Sequence, residues 1–274
     1  MARALASLLL LCAARGAAAE DAVRLRGELR VGFASFDYVE TYQGRTLDRE
    51  QGVLPVLALE TEVRWRRAFA RFGFRLASGS VDYGGEVLAP MDAALDGVWA
   101  NGESDALQLE GRLEAGAFVD PDRRLSLFAG LGVRRWRRAI QDTVAVSRDG
   151  SAVAIQGYTE AYGWGELEAG ARYAVVQRGD DGWDVEARVV RTIAPSIDVA
   201  YLGSPVSLEL GARLGWRAGT TYRHAFTPGW FVVAGLWGEG YAFGASGVDP
   251  VHVILEPDSR TLRFGLELGV GGRL

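Results

Sequence analysis

The chain has no lysine. All 30 basic residues among its 274 are arginine, set against 35 acidic residues for a formal net charge of −5. That balance, with an isoelectric point near 5.3, argues against a nucleic-acid partner. Cysteine occurs once, at Cys12, inside a segment expected to be removed. The mature chain therefore has no disulfide, thiol nucleophile or thiolate metal site. Histidine occurs twice, at His224 and His252, which leaves little material for general acid–base work. There is no GxSxG elbow, HExxH pair, phosphate-binding glycine loop or cofactor fingerprint, and no cofactor is expected. Long hydrophobic runs are also missing. No later segment carries the eighteen or more apolar residues of a transmembrane helix, although 49% of the residues are hydrophobic.

What the chain has instead is glycine, 36 residues of it, and strict two-residue alternation. Near the C-terminus Leu262, Phe264, Leu266, Leu268, Val270 and Leu274 share one face, opposite Arg263, Gly265, Glu267, Gly269, Gly271 and Arg273. The charged face is too rich in glycine, and too poor in Ser, Thr and Asn, for the outside of a soluble sheet. The pattern fits a transmembrane strand with lipid on its apolar side and a packed polar lumen on the other.

The same pattern recurs along the chain. Arg26, Glu28 and Arg30 oppose Leu25, Leu29 and Val31, and Glu60, Glu62 and Arg64 oppose Leu57, Leu59 and Val63. Arg71 and Arg75 alternate with Phe72 and Phe74; Glu110, Arg112 and Glu114 with Leu109 and Leu113. Glu166, Glu168 and Arg172 oppose Leu167 and Tyr173, and Asp184, Glu186 and Arg188 oppose Trp183, Val185 and Val189. An eighth strand is expected to set Val206, Leu208, Leu210, Leu214 and Trp216 against Glu209, Arg213 and Arg217. A ninth, from Trp230 to Gly244, shows no clear pair of faces, and the tenth contributes Arg263 and Glu267.

The expected architecture is all-β: a transmembrane, up-and-down antiparallel barrel of about ten strands over residues 20–274. A cleaved signal peptide is expected over residues 1–19, from Arg3, the apolar Ala4–Ala14 and the small residues Ala17-Ala18-Ala19. Short turns at Arg66-Arg67, Asp120-Pro121-Asp122, Arg178–Gly182 and Thr227–Gly229 would lie on the periplasmic side. Longer loops would lie outside: one ending near Gly52, one from Asp82 to Asp105, one from Gln141 to Gly157, one over Ala194–Ser204, and one before the last strand. Tyr38, Trp65, Trp136, Tyr162, Trp183, Trp216, Tyr222 and Trp230 suit interfacial aromatic girdles.

The terminal strand Leu262–Leu274, with the segments Phe128–Trp136 and Tyr158–Trp164, is similar to segments of known outer-membrane barrels. The chain resembles the small outer-membrane β-barrel proteins of Gram-negative bacteria, the group gathered as outer-membrane β-barrel domain or porin-family proteins. The resemblance covers the mature chain at the level of the fold. It implies export through the periplasm and residence in the outer membrane among its lipids and lipopolysaccharide. It also implies insertion by the barrel-assembly machinery through the C-terminal strand. Such proteins usually end in Phe, and this one ends in Leu274.

Function is expected to reside in the lumen or the loops. Arginine forks paired with carboxylates on the inward faces would cross-link strands and plug a narrow bore. The expectation is a monomeric, non-enzymatic barrel with a structural or surface-interaction role. The alternative is a narrow porin-like channel for ions or small solutes. A hydrolase would have to centre on His252, near Asp249, Glu256, Asp258 and Ser259. Asp92 and Asp96 in the second loop are the candidates for holding a divalent cation, though their spacing matches no calcium loop. Val87, Leu88, Met91, Leu95 and Trp99 suggest that this loop folds onto the rim or contacts a partner.

Overall fold

The structure, a computed structural model, describes residues 23–87, 89, 92–178, 181–201, 204–249 and 255–273. The expected signal peptide lies outside them. No helix among them is long and apolar enough to cross a membrane; the chain is built from strands. They are β1 (Arg24–Tyr42), β2 (Arg45–Trp65), β3 (Ala68–Glu86), β4 (Trp99–Phe118), β5 (Leu125–Ile140), β6 (Thr143–Val146) and β7 (Ala152–Ile155). These are followed by β8 (Thr159–Arg178), β9 (Asp181–Tyr201), β10 (Ser204–Glu209), β11 (Leu214–Thr227), β12 (Trp230–Phe243) and β13 (Asp258–Arg273).

Ten of them form a closed antiparallel ring in the order β1-β2-β3-β4-β5-β8-β9-β11-β12-β13. The ring shuts where β1 pairs with β13, from Arg26 opposite Arg273 to Thr41 opposite Asp258. Closure answers the solvent: in hydrocarbon an unpaired backbone N–H or C=O costs several kcal/mol, so a sheet there cannot keep an edge. β10 runs on above β11 along the same side of β9, and β6 and β7 make a separate hairpin.

The outside is apolar where lipid would touch it. Phe33, Val133 and Phe264 are 62%, 66% and 52% exposed, and they belong to a continuous belt of outward Leu, Val and Phe. A patch of that extent has no place in water. On β5 the belt runs from Leu125 to Val133, roughly 20 Å along the axis for strands tilted about 40°. Barrel strands run from 14 to 21 residues, although about 9–11 suffice to cross. The wall therefore projects beyond the belt, on the side away from the chain termini. There the outward residues turn polar, as at Ser35 and Asp37 on β1 and at Glu103 and Asp105 on β4.

Several expected loops are strand. The β1–β2 connection is the two-residue turn Gln43-Gly44, both with positive φ (51° and 80°), as the twist of a tight hairpin requires. The second loop shrinks to residues 87–98, the third contains the β6–β7 hairpin, and most of Ala194–Ser204 belongs to β9. At the other end Pro228-Gly229 forms a tight turn, with Gly229 at a φ of 80° that suits glycine.

The expected eighth strand differs most. Ala194 on β9 sits at a φ of 44°, where the β8–β9 register slips between Gly163 and Gly165. A second slip separates the Gly211–Gly244 bridge from the ladder that begins at Trp216 and Gly240. An extra residue turns every later side chain to the other face. Val206, Leu208 and Leu210 consequently point into the barrel and are buried, while Glu209 and Arg213 face outward.

Candidate functional site

The lumen is stacked in layers. Nearest the termini Phe69, Phe118 and Phe128 form a small cluster, capped by guanidinium groups. Arg172 lies 5.0 Å over the Phe69 ring and Arg188 4.9 Å over Phe128.

Above it is a dense ionic layer. The inward arginines Arg26, Arg30, Arg64, Arg71, Arg75, Arg112, Arg134, Arg172, Arg188, Arg217, Arg223 and Arg263 meet Glu28, Glu60, Glu62, Glu110, Glu114, Glu166, Glu168, Asp184, Glu186, Glu239 and Glu267. The two charges are nearly equal in number. Many pairs bridge distant strands: Arg75 Nε to Glu267 at 3.2 Å, Arg71 to Glu186 at 2.7 Å, and Arg172 to Glu62 at 2.8 Å. Glu239 is a hub, taking two bonds from Arg134 (2.9 and 2.6 Å) and one each from Arg217 and Arg263 (both 2.9 Å). Glu209 and Arg213 have no part in this layer. Arg213, on the outer wall, pairs with Asp258 at 3.2 Å.

An apolar layer follows, where the flipped Val206, Leu208 and Leu210 join Ile197, Phe36, Trp136, Trp164, Tyr241 and Phe243. Trp136 stacks on Tyr162 with ring centroids 4.7 Å apart and meets Tyr38 edge-on at 4.7 Å. Tyr38, Trp136 and Tyr162, expected in an outer girdle, are at most 1% exposed inside the lumen. Trp65, Trp183, Trp216, Tyr222 and Trp230 do lie on the outside.

The outermost layer is an acidic chamber in the projecting wall. Arg138 is fully buried and faces four carboxylates: Glu40 at 3.0 Å, Glu160 at 3.2 Å, Glu50 at 3.3 Å, and Asp48 in close contact. Glu256, from the β12–β13 loop, enters beside them and receives the Tyr162 hydroxyl at 2.7 Å. Its loop is tied back by Ser246, whose Oγ accepts the Glu256 N–H at 2.9 Å. Burial, with the charges of Glu40 and Glu160, pushes the Glu256 carboxyl well above the usual range.

Asp92 and Asp96 lie in the β3–β4 loop. Asp92 accepts the Ala94 N–H at 3.0 Å and Asp96 the Ala89 N–H at 3.1 Å, so these carboxylates cap their own turn. Arg148, beside the β6–β7 hairpin, grips that turn through the carbonyls of Ala93 (2.9 Å) and Asp96 (2.7 Å). His252 lies outside the described residues. His224 is exposed near the β11–β12 turn, 3.1 Å from Asp181.

Sequence reasoning left Arg134, Arg223, Glu239 and the whole chamber without a role. For Arg134 and Arg138 a signal existed: continuing the alternation outward from Leu131 and Val133 sends both inward with Trp136.

No family model matches the chain, and no curated protein does. Solved structures do. The outer-membrane protease OmpT of Escherichia coli matches at 11% identity and a TM-score of 0.60, over 95% of this chain and 99% of that one. The translocator domain of the autotransporter NalP from Neisseria meningitidis matches at 13% identity and a TM-score of 0.43, covering 100% and 94%. The likeness is one of fold, that of the Gram-negative outer-membrane β-barrels.

Proposed function

We propose that the protein is a non-enzymatic, monomeric outer-membrane barrel with a sealed lumen, acting structurally or through its outer rim. The observation that carries this is the filling of the bore at every level. The lumen sites fully enclosed by side chains include Glu267 in the ionic layer, Ile197 in the apolar layer and Arg138 in the chamber, each at 0% exposure. Gaps in the ionic layer and beneath Trp136 hold about 10 Å³ each, and one at the inner mouth about 40 Å³. One water needs about 10–15 Å³, so the two inner gaps hold at most one water each and the mouth a few. A hydrated ion would have to break several charge-assisted pairs in succession.

Two features support a role for the rim. Arg148 binds the β6–β7 hairpin to the β3–β4 loop at the Ala93 and Asp96 carbonyls. Arg135 and Arg137 point outward on β5 immediately above the apolar belt, at the level where lipopolysaccharide would present phosphate. The strictly alternating β13 is the segment suited to engage the assembly machinery.

The test is single-channel recording of the folded protein in a planar bilayer, with heat-shifted gel mobility reporting folding. Silence is expected. Steady conductance would replace the sealed barrel with a narrow channel selected by the ionic layer.

A further inference from the structure

We propose that the outer chamber binds one divalent cation of the calcium or magnesium class through the carboxylates of Glu40, Glu160 and Glu256. Charge, geometry and proton count point to it separately.

The first is a contrast within one lumen. The ionic layer balances arginine with carboxylate almost one for one. Above the apolar layer lie five buried carboxylates, Glu40, Asp48, Glu50, Glu160 and Glu256, and among the described residues Arg138 is the guanidinium paired there, with Glu40, Asp48, Glu50 and Glu160. A buried carboxylate without a counter-charge is costly. Glu50, 0% exposed, has Arg138 Nε at 3.3 Å, and among the described residues Oδ1 of Asp48 is buried without a hydrogen-bond partner.

The second is geometric. Glu40, Glu160 and Glu256 come from β1, from β8 and from the β12–β13 loop, and one oxygen of each lies within 4.8 Å of the others. Oxygens on opposite sides of a calcium ion are separated by roughly 4.6–5.2 Å, twice the metal–oxygen distance. Three carboxylates from three separate elements thus have the spacing of a hard-cation ligand set.

The third is a proton count. Tyr38 Oη lies 2.6 Å from Glu40 Oε1 and 2.9 Å from Tyr162 Oη; Tyr162 Oη lies 3.1 Å from Glu160 Oε2 and 2.7 Å from Glu256 Oε1. These contacts share only the two tyrosine hydroxyl protons. Two of the four contacts are left without a hydroxyl proton, so a further positive charge, a carboxyl proton or a cation, is needed between the oxygens. A cation supplies it without altering the side chains, and it fastens the β12–β13 loop to the wall at Glu256. This holds whether or not the ionic layer below conducts.

The experiment uses the full folded protein in detergent, freed of metals by chelation, with terbium(III) as the probe. Bound terbium should luminesce on aromatic excitation, because Trp136 and Tyr162 stack at the chamber floor. Saturable one-site binding is expected, displaced by calcium or magnesium. Glu256→Gln should weaken it about tenfold or more by removing one ligand charge, whereas Asp92→Asn should leave it unchanged. Trp136→Phe should dim the luminescence while calorimetry shows calcium still bound. Three outcomes overturn the proposal: no saturable signal from folded protein, unchanged affinity in Glu256→Gln, or loss in Asp92→Asn. The first would assign the missing charge to protons instead.

Discussion

Arg134 on β5 and Glu239 on β12 face each other across the lumen as a two-bond fork, Nη1 to Oε1 at 2.9 Å and Nη2 to Oε2 at 2.6 Å. Arg217 and Arg263 bind the same carboxylate. Removing its charge leaves three buried guanidinium groups sharing what remains, and breaking such an arrangement costs about 3–5 kcal/mol. Glu239→Gln should lower the urea stability of the folded barrel in lipid vesicles by that order. The pair formed by Arg49 and Asp37, 3.4 Å apart and 47% and 40% exposed, is the comparison. Asp37→Asn should cost less than about 1 kcal/mol. Equal losses would contradict the layered account of the lumen.

The bulge at Ala194 carries its own expectation. Its φ of 44° is one that a residue with a Cβ adopts at a cost, and Pro195 restricts it further. Ala194→Gly should raise stability by about 0.5–1 kcal/mol. Ala194→Val should lower it by about 1 kcal/mol or more, with heat-shifted mobility retained in both. If valine is tolerated as well as glycine, the chain does not bulge there and the inward turn of Val206, Leu208 and Leu210 fails with it.

Much of the barrel is legible in the sequence because lipid and lumen impose opposite demands on alternate residues. Leu29 and Arg30, or Leu113 and Glu114, could hardly exchange places, so the inward charges of β1–β4, β8, β9 and β13 stand out. The signal fades where that contrast fades. Above the belt the outward face is itself polar, at Asp37, Arg49 and Gln51. The inward Glu40, Asp48, Glu50 and Glu160 are therefore not distinguished by period, and the chamber stays hidden. On β12 glycines at Gly235, Gly238 and Gly240 occupy both faces, which conceals Glu239. A one-residue slip such as that at Ala194 inverts the faces with no compositional mark, and it sends Glu209 and Arg213 to the outside.

The Asp120 turn between β4 and β5 predicts a pH effect. Desolvation works against the charge of Asp120, but the backbone N–H groups of Arg124 (3.0 Å) and Leu125 (2.7 Å) outweigh it and hold its pKa below the usual value. A carboxyl with a lowered folded pKa stabilises above its unfolded value and loses that contribution as pH falls through the folded one. Wild type should therefore exceed Asp120→Asn in urea stability at neutral pH, and the gap should close as the pH falls through the lowered folded value. A gap independent of pH would show that the charge is not what matters at this turn.

Arg135 and Arg137 have a different situation from the outward Arg49 and Arg213. Arg49 faces Asp37 and Arg213 faces Asp258. The cross-strand neighbours of Arg135 are Leu109 and Gly163, and those of Arg137 are Leu107 and Ala161, none of them a carboxylate. Two adjacent guanidinium groups directly above the belt are suited to bidentate contact with lipid phosphate. The double variant Arg135→Ala/Arg137→Ala should fold normally in phosphatidylcholine, because neither side chain fills the lumen. It should also retain less lipopolysaccharide through purification, measured as lipid bound per barrel, and gain less urea stability than wild type when lipopolysaccharide is added. Equal retention and equal stabilisation would place the lipid contact elsewhere on the wall, with the row formed by Arg49, Arg213 and Arg260 next to be tested.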